Sequence, residues 1–420
     1  MSNPLSSRRE RLLLYTLAAV QFTHVMDFMI MMPLGPEFMR TFGITPTQFG
    51  FLVSVYSFSA GAMGFAAGFL MDKFNRRRAL LFFYGGFILG TLCCALAPNY
   101  ATLLAARAVA GGFGGVAASV ILAIVGDVIP FERRGRGMGV VMTAFSLASI
   151  LGLPVGLLFA GWFGWHAPFL LIAGVGIVIW IVSRLTLPSL PPHAHASTHD
   201  AWEQMKAILL HPNHQRAFAL IAALTGGGAL IYPYLTPSMV TNAALPESMM
   251  SFIYIFGGGA TLITSPWFGR LSDRLGKLRV FTWLILLSAL PTVAITQMVP
   301  LPVWVILTIT TSYMVFTSGR FVPAMALITA SVEPRYRGGF MSVTSAFQQL
   351  AAGLATSLAA LLVGRDAAGR ITGYPRAGWL AVVAIIVSVI LIRRLQLAPG
   401  SEPTAPVRVG SDIAQPDPAL

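Results

Sequence analysis

Charge is scarce in this chain. Only 10% of its 420 residues are Asp, Glu, Lys or Arg, against about 25% in ordinary soluble proteins. A chain so poor in charge cannot face water on every side, which excludes an ordinary soluble globular protein. Acids are rarer still, 15 against 28 Lys and Arg, for a formal net charge of +13. In a soluble chain that excess would point to nucleic acid. Here the bases sit in short segments between apolar runs, without interleaved aromatics, and no polar region is left to form a nucleic-acid-binding domain. Cysteine is almost absent. Cys93 and Cys94 are adjacent within an apolar run, which excludes a disulfide framework and a thiolate metal cluster. There is no GxxxxGK[ST] string to cradle a nucleotide and no HExxH pair, and the glycine-rich strings lie inside apolar runs rather than after a soluble strand. No enzyme constellation, cofactor site or metal site is expected. His193, His195 and His199 cluster in one polar segment, but no acid or thiol stands at ligand spacing from them.

What the chain does have is apolar sequence. Hydrophobic residues make up 56% of it, and mean hydropathy is +0.74. The runs have the length of membrane-crossing helices, about 20 residues each. Twelve spans are expected, at residues 12–36, 48–71, 79–97, 101–127, 137–161, 167–187, 215–238, 249–270, 280–298, 303–330, 338–363 and 377–395. Arg8, Arg9 and Arg11 precede the first run as in a signal peptide. That run is too long and carries Asp27, so it reads as a retained first helix. An even number of spans puts both termini on one side. The loops on that side hold Arg76, Arg77, Arg78, Arg133, Arg134, Arg136, Arg270, Arg274, Lys277 and Arg279, among others; the opposite loops hold only Arg40, Arg365, Arg370 and Arg376. Bases stay cytoplasmic, so both termini are expected inside.

The chain also repeats itself. Residues 68–78 read GFLMDKFNRRR, and residues 269–279 read GRLSDRLGKLR. Gly68 corresponds to Gly269, Asp72 to Asp273, Lys73 to Arg274, and Arg76 to Lys277. A second echo joins residues 127–139, with Asp127, Pro130 and Arg136, to residues 331–341, with Pro334. A repeat offset of about 200 residues is too long for a solenoid and fits two membrane half-domains. The expected fold is therefore an all-α polytopic membrane protein of twelve transmembrane helices in two pseudo-symmetric six-helix halves. Residues 1–11 form a cytoplasmic N-terminus, 12–187 the first bundle, and 188–214 a cytoplasmic linker. Residues 215–395 form the second bundle and 396–420 a disordered cytoplasmic tail. Within the linker, residues 201–210 suit a short amphipathic helix. Pro33 and Pro36 in the first span have rough counterparts in Pro233 and Pro237 of the seventh, so paired bends are expected there. Glycines at 111, 112, 114 and 115 and at 257–259 mark closely packed helices.

Asp27, Arg107 and Arg320 fall inside spans. Charge at that depth is costly and marks a functional interior or a structural ion pair. Asp27 is the candidate proton carrier, with His24 three residues earlier on the same helix face, and Arg107 its candidate charge partner. Arg320 is the candidate contact for an anionic substrate group or a partner in the second half. Tyr56, Tyr232, Tyr254 and Gln348 are further candidates to line a largely apolar substrate cavity.

These motifs resemble the major facilitator superfamily and, within it, the drug/proton antiporters of the sugar-efflux, or arabinose-efflux-permease-like, branch. The resemblance covers residues about 10–396. It rests on the loop with Gly68, Leu70, Asp72, Lys73, Arg76 and Arg77, on Arg107, on Gly152, Pro154 and Gly156 in the fifth span, and on Gly164, Trp165 and Phe169 before the sixth. Asn75 stands where that family often has Gly, in a turn where Asn can adopt a left-handed conformation. The usual Gly-Pro of the fifth span is Gly-Leu-Pro here. The resemblance implies a secondary transporter working by alternating access, with protons and a small molecule as partners, membrane lipid around it, and no cofactor. It implies export of small amphipathic compounds or drugs across a bacterial inner membrane by a monomer. The alternatives are a proton symporter or facilitator of a small polar or anionic metabolite, and, remotely, a non-transporting receptor or scaffold. It further ties Arg107 to proton coupling, beside the candidate proton carrier Asp27, and implies a conformational latch at Asp72, Arg76 and Asp273, with Gly68, Arg77, Asp127, Arg136, Arg274 and Lys277 of the repeated loops as its further candidates.

Overall fold

The structure, a computed structural model, describes residues 7–70, 74–129, 131–188, 198–333 and 336–398. In the first half the helices are α1 (Ser7–Ile30), α2 (Gly35–Thr41), α3 (Pro46–Leu70), α4 (Arg76–Ala95), α5 (Tyr100–Val128), α6 (Phe131–Leu147), α7 (Leu153–Phe163) and α8 (His166–Thr186). A connecting helix α9 (Thr198–Leu210) leads to the second half: α10 (Pro212–Ala229), α11 (Tyr232–Thr241), α12 (Met250–Leu275), α13 (Lys277–Thr296), α14 (Val303–Ala330), α15 (Arg337–Leu362) and α16 (Tyr374–Arg393). A hairpin of β1 (Gly364–Arg365) and β2 (Ile371–Thr372) joins α15 to α16. Twelve spans among the described residues are long and apolar enough to cross a membrane, and the protein is an all-α polytopic membrane protein.

The first expected span stops early, and the reason is Pro33. Proline offers no N–H to a helix, and α1 ends at Ile30, before a turn at 31–34 and the short α2. The seventh span breaks in the same way, between α10 and α11, next to Pro233. In the fifth span the ladder changes rather than breaks. Residues 148–152 form a π-helical turn just before Pro154, where the missing N–H loosens the i→i−4 pattern.

Asn75 behaves differently from the expectation for a left-handed turn. Its φ is −61° and ψ 119°, and its side chain accepts from the main-chain N–H groups of Arg77 and Arg78. It is the N-cap of α4, satisfying donors that open every helix. Gly276, at the matching turn of the second half, has φ +93° and so uses the freedom only glycine has. The two copies make one turn by two different means.

The tail expected from residue 396 is tied down at its start. Asn213 Nδ2 donates to the Gln396 carbonyl (2.7 Å), its Oδ1 accepts from Gln396 N (2.9 Å), and Ala398 N donates to the Ala330 carbonyl (2.9 Å). An amide side chain can serve both main-chain groups of one residue. Asp72, Lys73, Pro130, His193, His195, Pro334 and residues 399–420 lie outside the described residues, as do the side chains of Arg136 and His199.

The halves share one core at the end with few bases. There Met31, Phe38, Phe49 and Trp165 of the first half pack with Tyr234, Met239, Tyr254 and Tyr374 of the second. Tyr234 Oη crosses to the Pro46 carbonyl (2.8 Å). At the basic end the core divides into Leu17, Leu80, Val120 and Ile124 in the first half and Phe218, Phe281, Ile328 and Phe340 in the second. Apolar burial of about 25 cal/mol per Å² thus joins the halves most broadly at the few-base end, while toward the basic end α3 still packs on the second half, Gly61 against Leu350 and Phe65 against the second-half core.

Candidate functional site

Three helices deliver the central ion pair. Asp27 comes from α1, Arg107 from α5 and Thr91 from α4. Arg107 Nη1 lies 2.7 Å from Asp27 Oδ2, and both residues are completely buried. Thr91 Oγ1 donates to Asp27 Oδ1 at 3.1 Å. The guanidinium carbon sits 4.2 Å from the centroid of the Tyr56 ring on α3, a cation–π contact strengthened by the absence of water. The sequence permits this approach through glycine. A Cβ on Gly111 would stand 2.4 Å from the Tyr56 carbonyl oxygen, and one on Gly114 2.6 Å from His24 Cδ2.

Polar atoms around the pair are left over. Both His24 ring nitrogens, the Tyr56 hydroxyl, and Arg107 Nε and Nη2 are buried without hydrogen-bond partners. The His24 ring centroid is 6.0 Å from that of Tyr56 and 5.8 Å from that of Phe87. Buried polar groups are normally satisfied, so this concentration of spare donors and acceptors beside one carboxylate is chemically loaded. In the sequence Arg107 stands as the candidate charge partner of Asp27, His24 as its neighbour on the helix and Tyr56 only as a cavity residue, and the fold brings all four together. Thr91 had no sequence signal, since a single threonine in an apolar run is ordinary.

The second half is arranged differently. Arg320 is buried on α14, beyond the middle of the helix, whereas Arg107 lies in the first third of α5. Its Nη1 donates to Ser288 Oγ (3.0 Å) and its Nη2 to the Leu224 carbonyl (3.4 Å). Tyr232 is half-buried with its ring 5.4 Å from that of Tyr313, and Tyr254 shares a 2.8 Å hydrogen bond with Thr236. Gln348 is half-buried on α15. Tyr232 and Arg320 therefore belong to one region; Tyr254 sits in the core shared by the halves.

Of the expected latch residues, Arg76 Nε pairs with Asp127 Oδ2 at 3.2 Å, and Arg77 Nη2 donates to the Arg184 carbonyl. Those contacts lie within the first half. Asp273, Arg274 and Lys277 form no ion pair among the described residues. Gly68 ends α3.

An ion pair that sequence reading missed joins the halves at the few-base end. Arg40 on α2 grips Glu247 with both Nη atoms, at 2.5 and 3.2 Å. Its side chains are 58% and 42% exposed, so its direct worth is about 0–1 kcal/mol. Glu37, one turn before Arg40, is half-buried. Burial raises its carboxyl above the ordinary glutamate range, with Glu247 adding to the rise; the Trp165 main chain, Arg40 and His166 oppose it. Between the ordinary and the raised value the folded protein holds a proton that the unfolded chain has lost. Stability should therefore fall as pH rises through that window and level off above it. Thermal unfolding of Glu37→Gln across the same pH range should lose that slope; an unchanged slope would assign it to another group.

The Major Facilitator Superfamily model matches residues 17–355 and 217–414 of this chain, and the chain belongs to that superfamily of transporters. Among curated relatives, the uncharacterized MFS-type transporter YceJ of Bacillus subtilis (strain 168) is 23% identical over 361 residues, which cover 85% of this chain and 90% of YceJ. YbcL of the same organism, also an uncharacterized MFS-type transporter, is 23% identical over 386 residues, covering 90% of this chain and 94% of YbcL. Among solved structures, a bacterial homolog of the human lysosomal transporter Spinster, inward-facing and occupied, superimposes with a TM-score of 0.74 at 14% identity. The unoccupied inward-facing form gives 0.71 at 15%. Each covers 94% of this chain and 100% of the homolog, a likeness of fold.

Proposed function

We propose that this protein is a proton-coupled exporter of small amphipathic compounds, working as a monomer in a bacterial inner membrane with both termini in the cytoplasm. The observation that carries the reading is the sealed Asp27–Arg107 pair at 2.7 Å within the span-forming helices. Protonating Asp27 cancels the charge that holds Arg107 and frees a guanidinium that already has two unpartnered nitrogens. A ligand shifts a two-state equilibrium only through unequal affinity for the two states. A proton taken up at Asp27 has such inequality wherever the pair is intact in one state and parted in the other. With the basic end taken as cytoplasmic, the core shared by the halves falls on the outer side, which supports reading the described state as inward-opening. Outward opening must part the Arg40–Glu247 pair and the Tyr234–Pro46 bond. The loop bases, Arg76 with Asp127 and Arg77 with Arg184, together with Asp72, Arg136, Asp273, Arg274 and Lys277, then serve as the cytoplasmic latch of the outward-open state.

The test is substrate-driven proton movement in proteoliposomes. Asp27→Asn keeps the side-chain size and the acceptor for Thr91 but cannot carry the proton. It should leave substrate binding in place and abolish coupled proton movement. Wild-type coupling in that variant would remove Asp27 from the mechanism.

A further inference from the structure

Among the described residues Arg320 has no counter-ion, and the second half has no acid within a span to give it one. Glu247, Asp273, Glu333 and Asp366 are the acidic residues between positions 204 and 401, and all four lie at helix ends or in connecting turns. Asp27 is committed to Arg107. A buried arginine without an opposite charge is costly, and the protein keeps one at 3% exposure.

The surroundings of Arg320 are built for an acceptor. Tyr313, Thr317 and Arg320 follow one another on α14 at intervals of four and three residues, hence on one helix face. All three are buried; Arg320 Nε lacks a hydrogen-bond partner, and Tyr313 Oη and Thr317 Oγ1 have none at close range beyond each other. A hydroxyl pair and a guanidinium edge therefore present donor capacity along one strip, beside the half-buried Tyr232.

An open apolar groove of about 290 Å³ runs between α10, α15 and α16 and approaches Arg320 at Gly227. Ala223, Gly226, Gly227, Ala355 and Ala384 line it, with Leu354, 63% exposed, at its rim. Gly227 belongs to both places. It lines the cleft, and a methyl group on it would come within 3.9 Å of Arg320 Nη2 and 3.4 Å of Ala384 Cβ. A missing side chain thus leaves the guanidinium one thin wall from the cleft. The matching cleft of the first half, of about 210 Å³, is lined by bulkier Phe22, Met26 and Leu151, and the arginine of that half is already paired.

We propose that Arg320, Tyr313 and Thr317 receive the carboxylate of an amphipathic monoanion whose apolar tail lies in the cleft behind Gly227. This rests on the transporter reading above and narrows its cargo to one chemical class. One fixed cation matches one negative charge. A phosphate monoester, at about −1.5 to −2 near neutral pH, would leave uncompensated charge in an apolar setting.

The experiment uses the full-length protein in nanodiscs, with empty nanodiscs subtracted, and three probes of one tail length: decanoate, decanol and decyltrimethylammonium. Wild type should bind decanoate at least about tenfold more tightly than either of the others. Arg320→Gln should lose that preference, Arg320→Lys should keep part of it, and Gly227→Leu should weaken decanoate by filling the wall between cleft and guanidinium. Melting curves establish that each variant is folded; should Arg320→Gln fail to fold, Arg320→Lys and Gly227→Leu decide the matter. Equal binding of the three probes, or undiminished decanoate affinity in the folded variants, overturns the proposal. Asp27→Asn separates the two readings. It should lose proton coupling and keep decanoate binding, so a failed anion seat leaves the coupling result standing, and a failed coupling assignment leaves the binding result standing.

Discussion

Replacing Arg107 by alanine should destabilise the folded protein by about 3–5 kcal/mol, the cost of leaving a buried charge without its partner. Asp27 would retain only the Thr91 hydroxyl on Oδ1, and Oδ2 would face the space the guanidinium had filled. The Tyr56 ring would lose the cation 4.2 Å from its centroid. Asp27→Asn should also destabilise, because it leaves the Arg107 guanidinium buried without an opposite charge, offset only by the hydrogen bond its amide oxygen can still accept. The paired change Asp27→Leu with Arg107→Leu should recover most of the loss, since well-packed apolar residues often replace a buried ion pair with little penalty. Thermal unfolding in detergent, arranged as a double-mutant cycle, gives the coupling energy directly. The same proteins divide stability from function. The double leucine variant should be folded and should move no protons with substrate. An Arg107→Ala protein as stable as wild type would show that Asp27 is not charged in the state described; a proton-coupled double leucine variant would end the case for this pair in transport.

The parts of this molecule that were legible in its sequence are those where lipid makes a residue expensive. Asp27, Arg107 and Arg320 stood out because charge in hydrocarbon is costly, and the structure seats two of them together and the third alone. The twelve spans and the proline breaks at Pro33 and Pro233 were legible for a related reason, since main-chain groups in lipid must be satisfied locally. Neutral polar residues carry no such mark. Thr91, Tyr313 and Thr317 are ordinary in membrane helices, and only packing decides which of their hydroxyls meet a charge. The Arg40–Glu247 pair was illegible because it joins positions 207 residues apart through loops with no shared pattern. Asn75 was legible as a turn residue, but whether such a turn uses a left-handed residue or an N-cap depends on where α4 begins, and the side chain is suited to both. The Gly-Leu-Pro of the fifth span announced a lost hydrogen bond; that the loss is absorbed as a π-helical turn facing the other half, where a Cβ on Gly258 would come within 3.0 Å of Ser149 Cβ, follows from the packing of α12.

Gly111→Ala and Gly115→Ala should each lower stability by about 1–3 kcal/mol, the usual cost of forcing extra carbon into a filled interior. The reason is what the new methyl groups would meet. At Gly111 the nearest atoms are the Tyr56 carbonyl oxygen at 2.4 Å and its Cα at 2.7 Å; at Gly115 the nearest is Ala60 Cα at 2.6 Å. These are main-chain atoms of α3, which cannot swing aside as the end of a side chain can, so α3 and α5 must separate. Separation would lift Tyr56 from Arg107 and disturb the ion pair from the side, so coupled proton movement should weaken along with stability. Gly139→Ala is the control. Nothing lies within 4 Å of its Cβ position on α6, and alanine in a helix should gain about 0.5–1 kcal/mol there. If Gly111→Ala and Gly115→Ala melted with Gly139→Ala, at or above wild type, the two helices would not be in the contact that holds Tyr56 over Arg107, and the site itself would have to be rebuilt.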